Sequence, residues 1–219
     1  MKSNLIRSAW LTALASFLVA VPVRADVVVL TFEGVGNDTP VGNFYNGGAG
    51  GNFGISFSNN GLGIIDSDAG GTGNIGGEPS PSTVLYFLSG GAATMNVAAG
   101  FDTGFSFYYS AIVYTGFVNV YDGVDGSGNL LAHIDLSLTP YGGAPDPNGA
   151  YSPFVPIGVS FNGVAKSVDF GGTADYIAFD NITLGASVPG GVPDGASTLA
   201  LMAFALTTMA ALRRKLHRS

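Results

Sequence analysis

Apolar side chains between residues 26 and 190 recur at every second position or in short runs, and no stretch of that region repeats at the 3.6-residue period of a helix. In "TGFSFYY" Phe105, Phe107 and Tyr109 share one face, and in "LLAHIDL" Leu130, Ala132, Ile134 and Leu136 do the same. Further strands are expected at 27–32, 54–58, 83–88, 93–97, 117–121, 157–161, 167–170 and 176–184. Turn-forming residues separate them, which is where the 34 glycines matter. "YDGVDGSGN" (121–129) predicts a hairpin, its Asp-Gly pairs supplying the positive φ that a tight turn requires. Short strands without helices predict an all-β chain folded as a single β-sandwich of jelly-roll type. Three long connections, 34–52, 65–82 and 139–153, are expected as mobile loops, since loops of such length in a compact domain are usually functional or disordered.

The flanks of this region are of another kind. Lys2 and Arg7 precede an apolar run at 9–21, and Val23-Arg24-Ala25 places small residues as signal peptidase requires, so 1–25 reads as a secretory signal cut after Ala25. At the other end, 199–212 is apolar but for two threonines and about 21 Å long as a helix. Arg213, Arg214, Lys215 and Arg218 follow at once and by the positive-inside rule keep the C-terminus cytoplasmic, a stop-transfer pattern. The sandwich is accordingly assigned to 26–188 and a C-terminal signal to 189–219.

Removing the flanks sharpens the charge argument. From Asp26 to Gly191 one cation, Lys166, faces 14 acids, a net charge of −13. Such a surface repels phosphate backbones, so nucleic acid is excluded as a partner. The absence of Cys removes thiolate catalysis, Cys-bound zinc and disulfides.

Val192, Pro193, Asp194 and Gly195, standing before the apolar run and the Arg-rich end, resemble the sorting tail of PEP-CTERM bacterial exported proteins in its VPD-type variant. Pro193 lacks an N–H and disfavours helix at Val192, which keeps the motif extended. The resemblance covers about 28 residues and departs from the commonest form in having Asp194-Gly195 where Glu-Pro follows Val-Pro. It implies an exosortase-type processing enzyme as partner, transient anchoring in the inner membrane, and delivery to the cell surface or extracellular matrix of a Gram-negative-type bacterium. Cleavage of the tail and its retention as an anchor are both open on this reading.

The last strand, "YIAFDNITLG", changes apolar phase at Asp180-Asn181, which predicts a bulge or a strand buried on both faces. Asp180 then faces core, where a carboxylate is costly unless paired or metal-bound. Together with Glu33 in "VVLTFEG", this strand is similar to the terminal strands of galactose-binding-like, carbohydrate-binding jelly rolls. That resemblance implies adjacent first and last strands and a structural Ca²⁺ held by Glu33 and Asp180, with Asn37, Asp38 or carbonyl oxygens completing the shell. The alternative is a solvent-facing Glu33 and an Asp180 that accepts backbone N–H bonds. "DSDAGG" (66–71) begins like an EF-hand loop but lacks its later ligands, and reads as an acidic turn.

Enzymatic chemistry finds little support. His133, with Asp135 on the same strand face, lacks a G-x-S-x-G elbow, and no phosphate loop is present. Nine tyrosines, and no Trp after the signal, leave Tyr108, Tyr114, Tyr141 and Tyr151 as candidates for a sugar platform or as wet edge residues. The expected function is a non-enzymatic, exported surface or matrix protein with a structural or adhesive role. The alternatives are an exopolysaccharide-binding module and, more distantly, a glycosidase.

Overall fold

The computed structural model describes residues 27–139, 141 and 149–190. The signal cleavage at Ala25, the motif Val192 to Gly195, and the basic residues Arg213, Arg214 and Lys215 lie outside the described residues. Along the chain the strands are β1 (Val28–Leu30), β2 (Thr39–Pro40), β3 (Asn46–Gly48), β4 (Gly51–Asn52), β5 (Ile55–Phe57), β6 (Gly61–Ile65), β7 (Thr83–Phe87), β8 (Ala92–Phe101), β9 (Gly104–Ser110), β10 (Gly116–Tyr121), β11 (Leu130–Leu136), β12 (Val155–Ser160), β13 (Ala165–Gly172) and β14 (Ala178–Leu184). One 3₁₀ turn, Ser67–Ala69, is the sole helical element among the described residues, and none there is long and apolar enough to cross a membrane.

The strands form an all-β sandwich. One sheet runs β12-β9-β14-β7-β6-β2, with β1 also on β14; the other runs β11-β10-β13-β8-β5; and β3-β4 is a small separate ribbon. Every named pairing is antiparallel. The alternation seen in the sequence becomes the interior: Phe105, Phe107 and Tyr109 of β9 turn inward, and Phe105 and Phe107 meet Phe170 of β13 from the facing sheet. Phe170 packs edge-on to Phe179 of β14 at 5.0 Å between ring centroids. Offset and edge-to-face contacts of this kind add to the burial of apolar area that holds the two sheets together. Three strands, β2, β3 and β4, come from the 34–52 segment expected to be a loop, and β6 from a stretch for which no strand is expected. Gly63 in β6 shows why a strand is hidden there: a Cβ at this position would lie 2.8 Å from Val35 Cγ1, so close packing against the 34–36 turn replaces the side-chain pattern.

Two boundaries carry the site. The first strand ends at Leu30 rather than at residue 32, because Phe32 takes a left-handed φ of 62° and gives its N–H to Tyr45 Oη at 2.7 Å. In β14 the ladder to β9 shifts between Asp180 and Thr183, with Asn181 at φ 47°. This is the bulge that the change of phase implies, and the strand is also buried on both faces. The bulge divides β14: Phe179 pairs with β7, and 182–184 pair with β1.

Candidate functional site

The outer face of the larger sheet is not left to solvent. Segments 66–82 and 149–154 lie over it, burying Ile75 and Phe154 against Val84 of β7 and Ala178 of β14, with Ile64, Tyr108 and Tyr151 packed alongside. The two segments are tied to each other by backbone bonds, Tyr151 N–H to Asn74 O at 2.8 Å and Gly76 N–H to Tyr151 O at 3.4 Å, and by Ala150 N–H to Asn74 Oδ1 at 3.0 Å. Gly149 permits this approach, since a Cβ there would stand 2.6 Å from Gly76 Cα. "DSDAGG" is an acidic turn capped by Asp66, whose Oδ1 accepts from Asp68 N–H.

Two carboxylates, Asp180 at the β14 bulge and Glu33 just after β1, hold this cover in place. Asp180 is fully buried; its Oδ2 accepts Ser80 N–H at 2.8 Å and its Oδ1 accepts Asn181 N–H at 2.6 Å. Ser80 Oγ lies at 2.7 Å from both Asp180 oxygens and 3.0 Å from Thr31 O, so one hydroxyl proton serves three acceptors. Burial pushes the Asp180 carboxyl up to about 6 against the pull of the Ser80 and Asn181 donors, and the charge of Glu33 adds to the push. Half-buried Glu33 accepts Ser82 N–H at 3.1 Å and Thr83 N–H at 2.8 Å, with both hydroxyls close by. Tyr45, whose hydroxyl caps Phe32 N–H, is raised to about 12, chiefly by burial, with the charges of Asp180 and Glu33 contributing.

Adjacent first and last strands thus bring Glu33 and Asp180 into one neighbourhood. Their donor set does not fit a calcium ion: both carboxylates face N–H and O–H donors of a single loop, and no group of three or more acidic or imidazole side chains stands together among the described residues. Asn37 and Asp38, the suggested completing ligands, are engaged elsewhere. Asn37 Oδ1 accepts from Ile65 N–H and Thr72 N–H, and Asp38 accepts from Tyr86 Oη, Thr72 Oγ1 and Asn37 Nδ2. Both brace the wall of a cleft rather than the Glu33–Asp180 pair.

That cleft, of about 200 Å³, opens where the cover meets the sheet and is lined by Thr72, Asn74, Tyr86, Tyr151 and Asp175 over a floor of Ile64, Ile75, Ile177 and Ala178. Tyr86 comes from β7 and spends its proton on Asp38; Tyr151 comes from the 149–154 cover and gives its proton to Asp175 O at 3.3 Å. Burial raises both phenols, and the charge of Asp175 raises both further. Asp175 itself holds a left-handed φ of 72°, fixed by its N–H to Phe87 O at 2.8 Å. Apolar floor, two phenols and a few fixed polar groups can seat a hydroxyl-rich ring ligand by stacking and hydrogen bonding.

Of the four tyrosines singled out from the sequence, Tyr151 lines the cleft. Tyr114 is not among the cleft residues and meets Tyr176, the chain neighbour of Asp175, at 4.7 Å in a T-shaped pair. Tyr108 is spent as packing beside Ile75 and Phe154, and Tyr141 is 55% exposed and not among the cleft residues. His133 lies exposed on β11 of the other sheet, stacked on Phe117 and bonded to Asn119 and Asp135. Tyr86, Asn74 and Asp175 carry no sequence signal that separates them from structural residues.

No family model and no curated protein matches the chain. Among solved structures it is similar to a family 6 carbohydrate-binding module (18% identity, TM-score 0.34, 49% of this chain and 77% of that one). It is also similar to the K3 cleaved adhesin domain of Lys-gingipain from Porphyromonas gingivalis (16%, 0.38, 73% and 99%). A third likeness is to an arabinoxylan arabinofuranohydrolase of glycoside hydrolase family 43 from Bacillus subtilis in complex with cellotetraose (15%, 0.38, 59% and 25%), of which this chain spans a quarter.

Proposed function

We propose that the chain is an exported, non-enzymatic β-sandwich that adheres at the cell surface or in the matrix by binding polysaccharide. The observation that carries this reading is the cleft of Tyr86, Tyr151, Asn74 and Asp175, where two phenols and fixed polar groups converge over an apolar floor. At about 200 Å³ the cleft is smaller than the pockets that enclose whole drug-sized ligands, and it suits a single ring of a longer polymer. Delivery follows from the signal that ends at Ala25 and the tail from Val192 to Lys215, an exosortase-type enzyme being the partner that reads the latter. Glu33 and Asp180 act by pinning segment 80–83, and through it the cover that supplies Thr72, Asn74 and Ile75 to the cleft.

The test is a screen of the full chain against neutral and charged oligosaccharides by calorimetric titration, with Tyr151→Ala as the comparison. Binding that weakens at least about tenfold in Tyr151→Ala, from loss of a stacking partner, is the expected result. Binding untouched by that change overturns the assignment of this cleft.

A further inference from the structure

The polar groups of the cleft are acceptors to an unusual degree. The Tyr86 hydroxyl donates to Asp38 and the Tyr151 hydroxyl to Asp175 O, so what each offers a ligand is its oxygen lone pairs. Asp175 lines the same space and its negative charge acts on both phenols, with Asp38 behind Tyr86 adding another. Asn74 Oδ1 is taken by Ala150 N–H, which leaves its amide as a donor. No cation answers this charge: among the described residues Lys166 is the only Lys or Arg, and it belongs to β13 in the opposite sheet. A neutral sugar hydroxyl satisfies such a site in part, whereas an anionic sugar meets Asp175 with nothing to offset the repulsion. An ammonium group brings three donors and a positive charge, and tyrosine rings favour it further.

We infer that the cleft selects amino sugars, binding glycans that carry a free ammonium group in preference to their N-acetylated, neutral or uronic counterparts, with Asp175 as the residue that determines the choice. This rests on the reading of the cleft as a glycan site and adds the class of glycan. Asp175→Asn is a suitable probe, because Asn tolerates the left-handed φ of 72° and the backbone N–H to Phe87 O is retained.

The full chain is titrated at low salt with the β-1,4 disaccharide of glucosamine, its di-N-acetyl form, a glucuronate-containing disaccharide and a lysyl dipeptide. The expected result is roughly tenfold or greater preference for the amino over the acetylated disaccharide, weakest binding of the glucuronate, and a preference that shrinks with added salt. In Asp175→Asn the ratio falls to about one while the acetylated form still binds. Equal affinity for the amino and acetylated forms refutes the inference and leaves the glycan site standing. A preference that persists in Asp175→Asn assigns it to the overall negative charge and overturns the role given to Asp175. A lysyl dipeptide that binds as tightly as the amino disaccharide moves the ligand from glycan to protein amine, and no binding by any saccharide overturns the cleft reading itself.

Discussion

Asp180 gives the most direct handle on how the fold is held. Its carboxyl is fully buried and titrates near 6, against about 3.9 for an unfolded Asp. A group whose folded value is raised favours the native state below the unfolded value, and that advantage is lost as pH rises through the folded one. Two units at about 1.4 kcal/mol each come to roughly 3 kcal/mol, and for a domain of this size roughly 6–12 °C in thermal midpoint. The expected course is therefore a midpoint that climbs as pH falls from 8 toward 4 through this group, opposite to the usual effect of paired surface carboxylates. Asp180→Asn removes the titration but places an amide opposite the N–H groups of Ser80 and Asn181, so it is less stable at every pH. The informative quantity is the difference in midpoint between the two proteins, measured by calorimetry at half-unit steps. A difference that widens toward pH 4 supports the reasoning; a constant one means that Asp180 stays ionised in the fold, and the upward push ascribed to its burial is refuted.

Other consequences can be measured in the same way. Calcium at millimolar concentration should leave the midpoint within about a degree of that in chelator, since the donors around Glu33 and Asp180 do not form a cation shell; a rise of several degrees that vanishes in Asp180→Ala would reinstate the metal. Glu33→Gln should speed hydrogen exchange at Ser82 and Thr83, whose N–H groups it holds, while the amides of β9 keep their protection. Phe107→Ala, which empties a buried space among Phe105, Tyr109, Phe170 and Phe179, should cost about 3–5 kcal/mol in denaturant unfolding, and a loss below 1 kcal/mol would contradict the packing described.

The parts of the fold that were legible in the sequence are those where one face of a strand meets core and the other does not. Phe105, Phe107 and Tyr109 show their side of β9 by alternation, and the change of phase at Asp180-Asn181 announces the bulge that the ladder contains. The cleft was not legible for the converse reason. β7 reads "TVLYF" and is buried at all five positions, so Tyr86 looks like one more core aromatic, although its hydroxyl emerges beside Asp38. Asn74 and Asp175 are loop residues about a hundred positions apart, joined only because 66–82 and 149–154 fold back over the outer face of the sheet. Glu33 and Asp180 were recognisable as acids in costly places, but their partners, the N–H groups of residues 80–83, carry no side-chain signature.

The position of β14 bears on when this protein can fold. The last of the strands described lies in the middle of the larger sheet, between β9 and β7, and among the described residues is also the sole strand partner of β1, more than 150 residues earlier in the chain. A chain emerging N-terminus first, from a ribosome or across a membrane, holds strands on either side of a gap until its final segment arrives. Contacts of such separation are slow to form, and here they cannot be replaced by local ones. The polypeptide therefore stays unfinished, and threadable through a narrow passage, for as long as its C-terminal strand is held back; release of that strand closes the sheet from its centre.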